Sequence, residues 1–332
     1  MSTRLSVIIP NYNGGSTIGR CLEALYASSY DNFEVVVVDD CSSDGSPDII
    51  SRFPCKLVRL DTKSGAARAR NIGVQNSTGE VLFFIDADCI VQRDTLSRVG
   101  RSAGAGGKAV VGGTYTRLPE DDRFFSTFQS VFIHYSETKR ERPDYVASHA
   151  MAIGRGLFEK SGGFPEDFMP IIEDVEFSHR LRGSGSVLRM DPTILVSHFF
   201  DFTFVKSLRN AFRKSMYWTA YSLKNRDLLS DSGTASAELK TNVASYFSVL
   251  FICALSVIFQ RPLILWAALP ILCLNAFINR NFFSELHKTK GASFAFLSVL
   301  YYLLVYPLPV GAGSIAGVIK YSLRLGRLEG MR

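Results

Sequence analysis

The sequence predicts an α/β domain built on a largely parallel sheet with membrane helices after it, and three observations carry that reading. Short β-branched apolar runs alternate with helical patterns through the first part of the chain, pairs of aspartates stand directly after two of those runs, and three long uncharged stretches follow Val243.

The apolar runs cover residues 5–9, 34–38, 56–60 and 81–85. Between the first two, Ile18, Leu22 and Leu25 recur at helical spacing behind Ser16, a candidate cap, so the order is strand, helix, strand. Residues 35–38 and 81–85 show no polar alternation, as expected of parallel strands covered by helices on both faces. In such sheets ligands bind beyond the carboxyl ends of the strands. The N-terminus runs straight into the first strand, too short and too β-branched for a secretion signal, so a chain kept in the cytosol is expected.

Of the 332 residues, 47% are hydrophobic and 20% are charged, a balance that excludes disorder as the main state. The mean hydropathy of +0.11 is high for a soluble enzyme, so part of the apolar sequence must face something other than a core. A net charge of +6 suits anionic lipid, phosphate-bearing substrates or nucleic acid without choosing among them. The six cysteines have no metal-ligand spacing and read as small buried hydrophobes in a reducing compartment.

Residues 243–260 and 262–279 carry no charge, and at ~1.5 Å per residue each is about 26 Å of helix, marginally enough to cross a bilayer core. Joined by Gln260 and Arg261, they read as a membrane hairpin; a buried soluble hairpin is the alternative. Residues 291–319 are also uncharged, but Pro307, Pro309, Gly311, Gly313 and Gly317 break the pattern, so a kinked, re-entrant or interfacial element is expected there. Lysines and arginines cluster before the first stretch, between the second and third, and after the third, which sets all three flanks in the cytoplasm. Two full spans plus a returning element satisfy that. In residues 204–220, Phe204, Leu208, Phe212, Met216 and Ala220 repeat every four residues beside Lys206, Arg209 and Arg213, a pattern suited to a membrane surface or to a core-facing helix. The expected domains are therefore 1–200 (catalytic), 201–240 (amphipathic linker), 243–319 (membrane) and 320–332 (basic tail).

Chemistry is concentrated at the strand ends. Asp39 and Asp40 follow the second run and Asp86-Ala87-Asp88 follows the fourth. An i,i+2 carboxylate pair in extended chain points to one side and can share a hard divalent cation, which in turn seats a diphosphate. Further on, Asp174, Phe177, Ser178 and Leu181 share one face of a helix ending near Gly183. A carboxylate on that inward stripe is costly unless it is paired or used. No G-x-G-x-x-G follows the first strand, which disfavours a nicotinamide site.

Four blocks now make a specific resemblance: SVIIPNYNGG (6–15), VVVVDDCSSDGS (35–46), ARARNIGVQNSTGEVLFFIDADC (67–89) and SGGFPEDFMPIIEDVEFSHRLRGSG (161–185). In that order they resemble glycosyltransferase family 2, whose fold is GT-A, a Rossmann-like mixed sheet. The resemblance implies that Pro10, Tyr12 and Asn13 line a base pocket and that Asp39 or Asp40 accepts the N3–H of uracil. It further implies Arg70 near the nucleotide, Asp86 against the ribose or base, Asp88 on a Mn²⁺ or Mg²⁺ ion with the diphosphate, and Asp174 as catalytic base, with Glu173 beside it on the acceptor side. Some enzymes of this fold also offer a histidine to the metal, and His198, after the strand-like residues 193–196, falls in that region. His149 stands where many relatives have asparagine, while His134 and His179 read as structural.

The resulting expectation is a membrane-anchored, non-processive, inverting glycosyltransferase. It would use a nucleotide-diphosphate sugar, a UDP-sugar by preference, and a lipid-linked or glycan acceptor at the cytoplasmic face, in cell-surface polysaccharide biosynthesis, with no nucleic-acid partner. Arg209-Asn210-Ala211-Phe212-Arg213 lacks the Q-x-x-R-W motif of polymer-extruding synthases, and Trp218 is out of register. Transfer to a bare polyprenyl phosphate and a silent nucleotide-binding membrane scaffold are the alternatives. A nucleotidylyltransferase would carry a glycine-rich G-x-x-T-R loop where this chain has residues 11–15.

Overall fold

A computed structural model describes residues 3–104, 109–166 and 171–329. Residues 167–170 of the fourth sequence block and the end of the expected basic tail, 330–332, lie outside the described residues. The chain divides into two compact units, Met1–Asp122 with Glu137–Phe200, and Arg123–Ser136 with Asp201–Arg332.

The first unit is built on eight strands: β1 (Leu5–Asn11), β2 (Phe33–Asp39), β3 (Lys56–Arg59), β4 (Val81–Phe84), β5 (Cys89–Val91), β6 (Ala109–Tyr115), β7 (Met151–Gly154) and β8 (Val187–His198). Their order across the sheet is β3-β2-β1-β4-β7-β6-β8-β5. The four expected strands form the parallel half, with β1 between β2 and β4, so the loops after β1, β2 and β4 open on one edge. The other half is mixed: β7 runs antiparallel to β4 and β6, β8 is parallel to β6, and β5 is antiparallel to β8.

The helices of this unit include α1 (Ile18–Tyr26), α2 (Ser46–Ile50), α3 (Ala66–Gln75), α4 (Thr95–Gly104), α6 (Arg155–Lys160) and α7 (Glu173–Gly183); α5 (Phe124–Thr138) falls largely in the second unit. Ile18, Leu22 and Leu25 are fully buried, but the cap of α1 is Thr17 rather than Ser16, and it makes no side-chain cap bond. Gly14 O accepts from both Thr17 N and Ile18 N, so the backbone turn itself satisfies the helix start. One core cluster joins Ile8, Val36, Val38, Leu82, Phe84 and Ile153 of the sheet to Ala69, Phe158, Phe177 and Leu181 of the helices. Each buried valine, leucine, isoleucine or phenylalanine among them contributes about 1.5–3 kcal/mol. Phe164 sits edge-on to Phe84 at 5.1 Å and against Phe177 at 4.6 Å, which seats α7 on the sheet.

The second unit is helical: α8 (Phe204–Asn225), α9 (Ala237–Ile258), a 3₁₀ turn at Pro262–Ala267, α10 (Ala268–Leu300), a π-helical turn at Tyr301–Val305 and α11 (Pro307–Glu329). The third uncharged stretch is less interrupted than its sequence suggests. The one break in helical geometry lies at Lys290 and Gly291, inside α10, and α11 runs on through Gly311, Gly313 and Gly317. Pro307 and Pro309 follow closely on the π-helical turn, and Tyr302 O there accepts from Asn242 Nδ2. The glycines serve packing: a Cβ on Gly313 would lie 2.3 Å from Phe212 O, and one on Gly317 2.5 Å from Met216 O. Small residues four apart thus let α11 lie directly on α8. On α8 the buried face is Ser207, Ala211 and Ala220, whereas Phe204 and Phe212 of the expected apolar stripe are exposed.

Residues Ala237–Ile258 and Pro262–Leu323 are long and apolar enough to cross a membrane, and only 17% of the apolar window in each is buried. Phe251, Val257, Phe259, Leu263, Trp266, Phe277 and Phe296 all point outward. Cysteine burial departs from expectation for the same reason. Cys21 and Cys89 are buried in the sheet unit, but Cys253 and Cys273 lie exposed on these helices and Cys41 on a loop; all six are free thiols.

Candidate active site

The loops after β1 and β2 are laced together before any ligand is considered. Asn11 Nδ2 lies 2.8 Å from Asp39 Oδ1 and 2.9 Å from Ser46 Oγ. Ser42 N donates to Asp39 Oδ2 at 3.2 Å, so the fully buried Asp39 pins the turn that follows it. Asp40 accepts from Ser64 N at 2.6 Å and Gly65 N at 2.8 Å, tying the end of β2 to the start of α3. Both expected uracil acceptors therefore hold backbone, and a base would meet only their remaining lone pairs. Asn13 adopts a left-handed φ of 52° and accepts from Ser43 N at 2.9 Å. Pro10, next to last in β1, is half-buried. Tyr12 is exposed with Lys63 Nζ 3.5 Å above its ring, a cation–π contact.

Arg70 links the end of β4 to α7. From α3 its guanidinium donates to Asp86 Oδ1 at 2.6 Å and Glu173 Oε1 at 2.7 Å, and it is 3% exposed. Burial opposes the Arg70 charge, but the two carboxylates more than compensate and raise its pKa further. Burial also works against ionising Asp86, yet Arg70 holds that carboxyl below its ordinary range. Glu173 is thus turned to Arg70, a role its place in the sequence did not disclose.

Asp174, the next residue, has a different environment. Its Oδ2 accepts from Ser148 N at 3.0 Å and its Oδ1 from Val175 N at 2.9 Å. Burial first, and the Glu173 charge second, push its pKa up to about 6. Ile172, immediately before α7, has φ 67°, a strained conformation for a β-branched residue that costs about 1–3 kcal/mol. The strain sits at the turn that aims Glu173 and Asp174 in their separate directions.

A third group gathers where β4 ends and β8 ends. His198 Nε2 lies 3.2 Å from Asp88 Oδ1 without forming a hydrogen bond, and Asp88 Oδ1 and His198 Nδ1 are both buried with no hydrogen-bond partner. Ligand atoms of Asp88, Cys89 and His198 all lie within 4.8 Å of one another. Burial and the neighbouring Asp88 and Asp86 charges keep the Cys89 thiol protonated, which leaves the carboxylate and the imidazole as the donors. An unpartnered carboxylate oxygen of Asp88 facing His198 Nε2, on the exit side of an apolar strand, fits a divalent cation.

Three participants carried no sequence signal. Lys63 is one lysine in a loop, Tyr115 ends an ordinary strand, and Glu137 ends an ordinary helix. In the structure Thr114 Oγ1 donates to the buried Glu137 Oε2 at 2.7 Å, and His149 Nε2 approaches the same oxygen at 3.4 Å. Burial opposes a charge on His149, but Glu137 outweighs it and the pKa is raised.

Residues 6–161 match the family described as Glycosyl transferase family 2. The chain is 32% identical over 130 residues to the glycosyltransferase GlyG of Streptococcus pneumoniae serotype 4, covering 38% of this chain and 43% of that one. It is 34% identical over 130 residues to the amylovoran biosynthesis glycosyltransferase AmsB of Erwinia amylovora, covering 36% and 43%. The match spans less than half the length of both. Among solved structures, the mannosyltransferase PcManGT of Pyrobaculum calidifontis, solved with GDP-Man and Mn²⁺, aligns over 97% of this chain and 87% of its own with a TM-score of 0.58 at 20% identity. The sheet unit has the GT-A fold, and the stretch similar to glycosyltransferase family 2 covers just under half of the chain.

Proposed function

We propose that this protein is a metal-dependent, inverting glycosyltransferase that moves a sugar from a nucleotide-diphosphate donor, a UDP-sugar, to a lipid-linked or glycan acceptor in cell-surface polysaccharide biosynthesis. The observation that carries the reading is the split between two carboxylate environments. Asp86 is held ionised by Arg70, while Asp174, pushed to about 6, is poised to take a proton near neutral pH. Tyr12 and Lys63 would receive the base, and Asp88 with His198 would hold the cation. A carboxylate with one imidazole suits Mn²⁺ better than the harder Mg²⁺. When bound, the ion neutralises the diphosphate as it leaves. Asp174 then removes the acceptor hydroxyl proton while the acceptor oxygen attacks the anomeric carbon in line, and a single displacement inverts the configuration there. Ser148 N and the strained turn at Ile172 hold the carboxylate in place. The name of AmsB and the outward-facing apolar helices support a membrane-bound polysaccharide pathway; in this reading the lysine and arginine flanks of the apolar stretches put the sheet unit on the cytoplasmic side and the helices span more than once.

The test is calorimetric titration with UDP in the presence of Mn²⁺, with and without chelator, for wild type and Asp88→Ala. Chelator-sensitive binding that Asp88→Ala abolishes is expected; unchanged, chelator-insensitive affinity overturns the metal-dependent reading. Carbonate extraction tests the membrane assignment, which fails on release of the full-length chain into the supernatant.

A further inference from the structure

A histidine that ligates a metal ordinarily has its ring fixed by a hydrogen bond from the nitrogen that does not face the ion. His198 has none: Nε2 faces Asp88, and Nδ1 is buried without a partner. What holds the ring is aromatic. Phe200 packs against it at 4.1 Å between centroids, and Tyr115 meets it edge-on at 4.9 Å. Tyr115 is itself stacked on His149, at 3.9 Å with 14° between the rings. His149 in turn is 7% exposed, with Nε2 3.4 Å from the buried Glu137 carboxylate that Thr114 also anchors. Glu137, His149, Tyr115 and His198 therefore form one column that ends at the candidate cation site. The loop carrying His149 also supplies Ser148 N to Asp174, so the same turn serves both ends of the site.

We propose that His149 is a positioning residue for the cation site, acting through the face of Tyr115 to fix the ring of His198. The inference rests on the reading of Asp88 and His198 as metal ligands. It makes the stack, rather than a hydrogen bond to Nδ1, the device that orients the ligand.

The test uses the full-length protein in detergent, with Mn²⁺ and UDP as the probes. Mn²⁺ affinity is read from the electron-paramagnetic-resonance signal of the free ion, and ¹⁴N coupling to bound Mn²⁺ is read by pulsed methods. His149→Ala is expected to weaken Mn²⁺ binding by about 10–100-fold, the range for loss of a supporting contact behind a ligand, and to diminish the ¹⁴N coupling. His149→Phe keeps a flat ring against Tyr115 and should recover most of both. His149→Gln keeps a polar group for Glu137 without the stack and should behave like His149→Ala, and it stands in for that variant if the alanine chain does not fold. His198→Ala separates the two claims. Wild-type Mn²⁺ affinity in His198→Ala, or no ¹⁴N coupling in the wild type, overturns the ligand reading and this inference with it. Weak binding in His198→Ala beside wild-type affinity and coupling in His149→Ala and His149→Gln overturns the inference alone, as does equal loss in His149→Phe and His149→Ala.

Discussion

Each unit of the chain contains a buried polar cluster, and the two differ in whether their hydrogen bonds are complete. In the helical unit, Asn242 Nδ2 donates to Tyr302 O at 2.7 Å, Asn275 Nδ2 to Asn242 Oδ1 at 3.0 Å, Asn279 Nδ2 to Asn275 Oδ1 at 2.8 Å, and Tyr302 Oη to Asn279 Oδ1 at 3.0 Å. The ring of contacts closes on itself around the π-helical turn, joining α9 and α10 to the start of the third helical segment. In the sheet unit, Asp88 Oδ1, His198 Nδ1, Arg70 Nε and His149 Nε2 are buried with no hydrogen-bond partner. A buried polar group left unpaired costs about 1–3 kcal/mol, so a fold tolerates several together only where a ligand completes them. The closed cluster fixes helix register; the open one is where chemistry belongs.

The largest expected effect is in the open cluster. Asp174→Asn should leave donor binding nearly intact and cut turnover by about 10²–10⁴-fold, because asparagine keeps the size and the bond from Ser148 N but cannot take a proton. Single-turnover transfer to a hydroxyl acceptor, beside UDP affinity for the same variant, is the measurement. Turnover within a few-fold of wild type would remove Asp174 as base and point instead to an acceptor phosphate, already ionised, that attacks unaided. Loss of affinity and fold together would make the open cluster structural, and the contrast would fail.

The closed cluster should respond in stability alone. Asn275→Ala strands Asn242 Oδ1 and leaves Asn279 Nδ2 only the carbonyl of residue 275, and about 1–3 kcal/mol of destabilisation is expected, with catalysis per folded molecule unchanged. Thermal unfolding in detergent, with specific activity on the surviving fraction, reads both. A variant of wild-type stability would show that water or lipid headgroups reach these asparagines. Packing gives a parallel case: Gly317→Leu drives a side chain into Met216 O and should separate α11 from α8, again lowering stability by about 1–3 kcal/mol.

How much of this was legible in the sequence follows from the range of the forces involved. The parallel strands and α7 were legible because apolar periodicity is local, and the aspartates were legible because they follow apolar strands directly. The mixed half of the sheet was not: β6, β7 and β8 pair across long separations, which no window of sequence contains. Asp39 and Asp40 illustrate the same limit within the site. Their position after β2 marks them as important, but whether a carboxylate faces a ligand or a backbone N–H depends on Asn11, Ser42, Ser64 and Gly65 arriving from elsewhere. Glu173 read as an acceptor-side residue because it adjoins Asp174, and a helix turns adjacent residues about 100° apart. Glu137 had no pattern at all and His149 only an unusual position, since a buried ion pair is defined by partners and not by spacing.

The smallest effect sharpens the contrast most, because it has opposite signs in activity and stability. With the Asp174 carboxyl pushed up to about 6 by burial and by Glu173, the folded chain binds a proton that the unfolded chain, at the ordinary 3.8, has already released. Between those two values the folded state holds more protons, so the stability contribution of Asp174 is fully present below 3.8 and is lost as pH rises to about 6, with no further change above. A base works only when deprotonated, so turnover should rise over the same interval, falling about fourfold from pH 7 to pH 5.5 and tenfold per unit below that. Turnover and melting temperature measured from pH 4.5 to pH 8 in wild type and Asp174→Asn give the answer as a difference between the two proteins. Asparagine should flatten both trends. Activity and stability that climb together through this interval would mean that Asp174 is an ordinary paired carboxylate, complete in the way the asparagine cluster is complete, and the base would have to be sought elsewhere in the site.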